Sequence, residues 1–99
     1  MADIKETMEF LARQAIGGNE KCFVSLCDLL KHKLFRTAKA ILGNESLALD
    51  AVSEAVFRAF KGIKRLREPK FVETWFIRIL RICPKITYTS DYYFLGLIL

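Results

Sequence analysis

The sequence contains none of the short motifs that mark the common enzyme classes. It lacks the phosphate-binding patterns GxxxxGKS and GxxxxGKT, the dinucleotide pattern GxGxxG, the zinc-protease pattern HExxH and the hydrolase pattern GxSxG. Its one histidine, His32, stands between two lysines, which is typical of an exposed position on a helix. We therefore expect a protein that is not an enzyme and that has no cofactor.

Cysteine is scarce, and the chain has three, an odd number that does not fit a framework of disulfides. Cys22 and Cys27 are five residues apart on one predicted helix, so their side chains diverge by more than a quarter turn. Cys83 belongs to a distant segment, and this spacing does not favour a zinc site. We expect reduced thiols and no bound metal.

Signals for export and for membrane insertion are missing as well. The N-terminus, MADIKETMEF, carries acidic residues and lacks the basic start and apolar core of a secretory signal. No uncharged run approaches the roughly 20 residues that span a bilayer. The 99 residues, 53% of them hydrophobic and 27% charged, suffice for one folded domain. These features predict a cytoplasmic protein with no membrane insertion.

Positive charge is concentrated in one part of the chain. The formal net charge is +5, and the stretch 61–85 alone carries eight basic residues against two acidic ones, whereas the remainder is close to neutral. A segregated basic stretch is typical of a protein that binds a polyanion, although a solvated helix face has the same composition. Nucleic acid is therefore the first partner to consider.

Apolar residues recur at helical spacing through the first half of the chain. Asp3 and Glu6 are arranged like a capping box in front of a helix over about residues 4–16. Asn19 is placed to cap a second, longer helix, which Gly43 ends.

Two further helices are predicted in the second half. Asn44 or Ser46 is placed to cap the third helix. Its spacing predicts six inward-facing apolar residues: Leu49, Val52, Val56, Ala59, Phe60 and Ile63. After a basic loop, Pro69 suits the first turn of a fourth helix over about residues 70–82, and Pro84 ends it.

The final fifteen residues, KITYTSDYYFLGLIL, differ in character from the rest. They are rich in β-branched and aromatic residues and resemble a strand, but the chain offers no partner strand. The expected fold is an all-α bundle of about four helices over residues 1–83, followed by an atypical apolar tail at residues 84–99.

Large apolar residues occupy more than one face of the predicted fourth helix. The spacing predicts four core residues: Phe71, Trp75, Ile79 and Ile82. Three others then face elsewhere: Phe76, Ile77 and Leu80. These three need a second packing surface or a ligand, and the unstacked bases of single-stranded nucleic acid are such a ligand.

The third helix has a polar side that is a candidate for binding a partner. Asp50, Glu54 and Arg58 follow one another at intervals of four residues and therefore share one face. This face is either solvated or a docking surface for a basic partner helix.

Three ordered motifs make the sequence resemble a known family. They are ILGN at residues 41–44, ALDAVSEAVFRAF at residues 48–60 and PKFVETWFIRIL at residues 69–80. In this order they resemble the second conserved region of the sigma-70 family of RNA polymerase sigma factors, and within it the extracytoplasmic-function group. The resemblance covers about residues 23–80 and implies a helical domain that acts in transcription.

The resemblance also implies partners and residue roles. In the family, the helix matching residues 48–60 docks on the clamp helices of the largest subunit of core RNA polymerase. The helix matching TWFIRI, with the loop before it, binds the minus-ten element of promoter DNA and captures unpaired bases. The implied polymerase contacts are Asp50, Ser53, Glu54 and Arg58. The implied contacts with promoter DNA are Lys64, Arg65, Arg67, Lys70, Trp75, Arg78 and Arg81.

The sequence departs from the family pattern in three places. Leu47 and Leu49 stand where members often carry an acidic residue, and Ser53 stands where they often carry glutamine. After RIL the chain continues as RICPKI in place of an Asn-containing helical segment. The chain also has no room for the family's second helical domain, which reads the minus-thirty-five element.

These departures keep two alternatives open. One is a truncated sigma relative that binds the polymerase or an anti-sigma factor without initiating transcription. The other is a nonspecific binder of single-stranded nucleic acid, whose affinity should fall steeply with salt even without the polymerase.

Overall fold

The computed structural model describes residues 3–84 and 86, and this part of the chain is built from helices. Four α-helices follow one another: α1 (Ile4–Ile16), α2 (Glu20–Leu42), α3 (Glu45–Gly62) and α4 (Val72–Ile82). Two 3-10 turns, Ile63–Arg65 and Pro69–Phe71, connect α3 to α4. The predicted all-α bundle of about four helices is confirmed. None of the four helices combines the length and the apolar character that a membrane crossing needs.

The predicted tail falls almost wholly outside the described residues. The strand expected in the last fifteen residues cannot be compared with the structure, and the division at residue 83 stays a prediction. Pro84 and Ile86 are the exceptions. Ile86 is buried, and its backbone N–H donates to the carbonyl of Cys83 at 3.0 Å.

Short polar side chains cap the helices where the sequence predicts them. The Asn19 side chain accepts a hydrogen bond from the backbone N–H of Cys22 at 3.0 Å, which starts α2. Gly43 ends α2 in the left-handed conformation, with φ of 68°, which only glycine adopts without strain. Asn44, rather than Ser46, then caps α3 by accepting from the N–H of Leu47 at 3.0 Å.

The bundle is centred on α2, which contacts all three other helices. Its buried side chains repeat at intervals of three and four, as the sequence predicts: Phe23, Leu26, Leu30, Leu34, Ala38 and Leu42. Burial of these large apolar groups supplies the main stabilisation of the fold.

Helix α3 meets this core through alanines instead of the larger residues that its sequence favours. Four side chains are fully buried: Ala48, Ala51, Ala55 and Ala59. The prediction is wrong for Leu49 and Phe60, which are 58% and 46% exposed, and Val52 and Val56 are half-buried. Because α2 presents leucines at the contact, methyl-sized side chains on α3 let the two helices approach closely.

Helix α4 is rotated relative to the predicted orientation. Its buried residues are Val72, Phe76 and Leu80, at strict intervals of four. Phe71 and Ile82, which were expected in the core, are 56% and 62% exposed, whereas Trp75 and Ile79 are half-buried against it. The 3-10 turn at Pro69–Phe71 shifts the start of α4 to Val72, so Phe71 stays outside the bundle.

Candidate nucleic-acid and partner surfaces

No group of three or more metal-binding side chains comes together within the described residues. Cys22 and Cys27 are half-buried thiols, and Cys83 is a fully buried thiol whose Sγ donates to the backbone carbonyl of Ile79 at 3.2 Å. Burial, together with the neighbouring carboxylate of Asp28, raises the pKa of Cys27 from 9.0 to about 11. Since the thiolate is the reactive form, Cys27 is a weak nucleophile at neutral pH.

We expect the alkylation of Cys27 by iodoacetamide to be suppressed in the native chain. At pH 9 its thiolate fraction should be about fiftyfold lower than in the denatured chain, where the pKa returns to its ordinary value. The native rate should rise about tenfold per pH unit up to about pH 10, one unit below the native pKa. Peptide mapping by mass spectrometry measures both rates, and equal rates at pH 9 would contradict the burial of this thiol.

The outer face of α3 carries the predicted polymerase contacts. Asp50 and Ser53 are exposed, and one carboxylate oxygen of Glu54 accepts from Nη2 and Nε of Arg58 at 3.2 and 3.4 Å. The other oxygen of Glu54 is closed off from water and has no hydrogen-bond partner in the described part of the chain. The structure therefore brings Asp50, Ser53, Glu54 and Arg58 together on one accessible face.

Large apolar side chains share this face, and sequence reasoning missed them. Leu49 and Phe57 are both more than half exposed and, with Ser53 between them, form a row beside the polar one. The Lys61 ammonium lies 4.5 Å from the centre of the Phe57 ring. The run of alanines at helical spacing was the available signal, because it identifies the opposite side of α3 as the buried one.

A pocket beside α4 brings together three of the predicted DNA contacts. It has a volume of about 370 Å³ and lies between the loop before α4 and the helix itself. Its lining residues are Leu66, Arg67, Glu68, Phe71, Thr74, Trp75 and Arg78. We call it the α4 pocket. The exposed Arg67 and Arg78 and the half-buried Trp75 therefore line one pocket.

The other predicted DNA contacts lie elsewhere on the surface. Lys64 lines a separate cleft of about 340 Å³ with Phe23 and Phe60, near the start of α2. Arg65 is exposed in the first 3-10 turn, and Lys70 lies with its ammonium 5.2 Å from the centre of the Phe71 ring. Arg81 lies on the other flank of α4, facing α2. The seven residues therefore belong to several adjoining surfaces and not to one site.

Comparison with known proteins identifies the family. The sequence model of the sigma-70 region 2 family matches residues 26–82, which run from the first turns of α2 to the end of α4 and make up more than half of the chain. Neither the curated proteins nor the solved structures include a significant match. Domains of this family are not enzymes, and they bind core RNA polymerase and promoter DNA in transcription initiation. The chain belongs to the sigma-70 region 2 family.

Proposed function

We propose that this domain docks on the clamp helices of core RNA polymerase through the outer face of α3 and captures unpaired bases of a promoter's minus-ten element in the α4 pocket. The motifs quoted above favour the extracytoplasmic-function type of sigma factor. The observation that carries the proposal is the convergence of Trp75, Arg67 and Arg78 on one pocket.

The α4 pocket has the chemistry that an unstacked base requires. Stacking on an aromatic side chain contributes about 1–3 kcal/mol per base, and guanidinium groups neutralise the phosphates on either side. The Trp75 indole is held by an edge contact with Phe76, at 5.8 Å between ring centres and 84° between planes. Trp75 is therefore positioned before DNA arrives, which lowers the entropic cost of binding. The Glu68 carboxylate can accept from the amino group of cytosine or adenine.

The face of α3 supports polymerase docking by its mixture of charge and apolar surface. Asp50, Glu54 and Arg58 offer a charged row, and Leu49 and Phe57 add apolar area beside it. Charged groups favour association and orientation, whereas desolvated aromatic groups supply most of the affinity at a typical protein interface. We assign the polymerase contacts to Asp50, Ser53, Glu54 and Arg58, extended by the two apolar residues.

The remaining cations contribute to DNA binding through charge. Lys64, Arg65, Lys70 and Arg81 have no assigned base and are proposed as phosphate contacts. Such contacts fix the register of a protein on DNA and make its affinity dependent on salt.

Replacing both arginines of the α4 pocket should weaken DNA capture. We expect Arg67→Gln with Arg78→Gln to lower the affinity of the chain, bound to core polymerase, for a fork probe of randomised sequence by at least about tenfold at 0.1 M salt, because two phosphate contacts are lost. Fluorescence anisotropy measures the affinity. Arg13→Gln with Lys31→Gln removes the same charge from α1 and α2 outside the pocket and should have no such effect. Equal losses in the two variants would contradict base capture.

The exposed Leu47 and Leu49 favour a second candidate function. Both stand on the outer surface of the domain where an acidic residue is common in the family, and an apolar surface there suits a protein partner. In this alternative the domain binds the polymerase or an anti-sigma factor without initiating transcription. A reconstituted assay separates the two candidates: a promoter-specific transcript from the chain with core polymerase supports the first, and polymerase binding without a transcript supports the second.

A further inference from the structure

A basic groove lies between α2 and α4, on the flank of α4 that faces away from the α4 pocket. It consists of two adjoining cavities of about 470 and 450 Å³, which share Lys33, Thr37 and Arg81. Lys5 of α1 lines one end and Arg36 of α2 lines the other. We call this surface the α2–α4 groove.

The groove is lined by more cationic than acidic side chains. Four cationic side chains line it against one carboxylate, that of Glu73, which pairs with Lys33. Two other lysines of α2 have ion-pair partners, Lys31 with Asp28 at 3.5 Å and Lys39 with Glu45 at 3.2 Å.

Arg36 differs from those lysines, because it has no ion-pair partner among the described residues. The half-buried Ile41 and Ile77 contribute apolar surface to the groove. Cationic side chains beside apolar surface suit a ligand that carries regularly spaced negative charges on a less polar chain.

The groove and the α4 pocket meet on the same helix. Glu73, Ile77 and Arg81 recur at intervals of four on one flank of α4, and Trp75 and Arg78 lie on the other. Thr74 lines both cavities and stands on the exposed crest between them. A helix with its side chains is about 10–12 Å across, close to the roughly 12 Å width of the DNA major groove. DNA bound at one flank of α4 is therefore within reach of the other.

We infer that the α2–α4 groove binds the sugar–phosphate backbone of duplex DNA adjoining the unpaired segment. This inference rests on the proposed function of the α4 pocket, and it extends the DNA-binding surface to Lys33 and Arg36 of α2. An acidic protein segment would also be attracted by the charge. The shared crest at Thr74 favours DNA, because it makes the groove continuous with the pocket.

Arg36→Gln tests the groove, with Lys31→Gln as the matched control on the other side of α2. Affinity of the chain bound to core polymerase is measured by fluorescence anisotropy between about 50 and 200 mM salt, with one probe of duplex DNA and one with a single-stranded arm. Loss of one phosphate contact should reduce the slope of log affinity against log salt by about 0.9 and lower affinity for both probes about eightfold at 0.1 M salt. The control should leave both quantities within about twofold of the parent.

The outcomes separate the groove from the pocket. If Arg67→Gln with Arg78→Gln weakens binding of the single-stranded arm while Arg36→Gln behaves like Lys31→Gln, the groove inference is wrong and the proposed function stands. If the pocket variant has no effect while Arg36→Gln lowers the salt slope, the groove binds DNA and the pocket proposal fails. The inference is also overturned if the parent adds no duplex affinity to core polymerase at about 50 mM salt, or if Arg36→Gln weakens binding of a polyglutamate peptide but not of DNA.

Discussion

Replacing Phe76 with alanine is expected to lower the free energy of unfolding by about 3–5 kcal/mol. The ring is fully buried, lies 6.2 Å from the Phe23 ring at an interplanar angle of 23°, and meets the Trp75 indole edge-on. Its removal leaves a cavity between α2 and α4 that neighbouring side chains fill only in part. A domain of this size is stable by about 5–15 kcal/mol, so the loss is a large share of the total. Urea unfolding followed by circular dichroism measures it.

Phe71→Ala is the matched control, since it removes the same atoms five residues earlier. The Phe71 ring is 56% exposed and contacts the Lys70 ammonium on the surface, so its loss should cost less than about 1 kcal/mol. A larger cost for Phe71 than for Phe76 would restore the helix orientation predicted from the sequence and refute the observed one.

Reversing the charges of Asp50 and Glu54 to arginine is expected to weaken binding to core RNA polymerase by at least about thirtyfold. Loss of a hydrogen-bonded charge at the centre of an interface costs about 2 kcal/mol or more, and the new guanidinium groups would repel a basic partner surface. Surface plasmon resonance with immobilised core polymerase measures the affinity. An unchanged affinity would place the docking surface elsewhere on the domain.

The chain offers a closely matched control for this double variant. Glu9 and Arg13 on α1 form an i, i+4 ion pair at 3.4 Å, as Glu54 and Arg58 do at 3.2 Å. Glu6→Arg with Glu9→Arg therefore changes the net charge equally and breaks an equivalent pair, but on a helix that does not contact α3. It should bind the polymerase as the parent does. Parallel losses in both variants would indicate a general charge effect and contradict the assignment to α3.

Helix bounds could be predicted from the sequence because they depend on local chemistry. Asn19 and Asn44 cap helices through hydrogen bonds to backbone groups three residues away, and Gly43 ends α2 through its own backbone conformation. The faces that α3 and α4 turn toward the core do not depend on local chemistry alone. Each of the two helices carries two sets of apolar residues at helical spacing, on neighbouring faces. Packing against the leucines of α2 determines which set faces the core.

The residues of the candidate site likewise fall into those that the sequence predicts and those that only the fold brings together. Arg67, Trp75 and Arg78 could be grouped because the loop and α4 are adjacent in sequence. Lys33 and Arg36 could not be added, because they are 48 and 45 residues away from Arg81 in the sequence and only the packing of α2 against α4 brings them together.

The alanines that pack α3 against α2 form a buried face that is distinct from the outer face of the same helix. Every fully buried side chain of α3 is a methyl group, whereas Leu49 and Phe57 are more than half exposed. Residues on the outer face of α3 can therefore change during evolution to suit a different partner without disturbing the packing against α2. The converse also holds, because one larger side chain at Ala51 or Ala55 would push α3 away from α2 and shift its outer face relative to the α4 pocket. On the proposed function, such a substitution would alter base capture from a position outside both proposed contact surfaces.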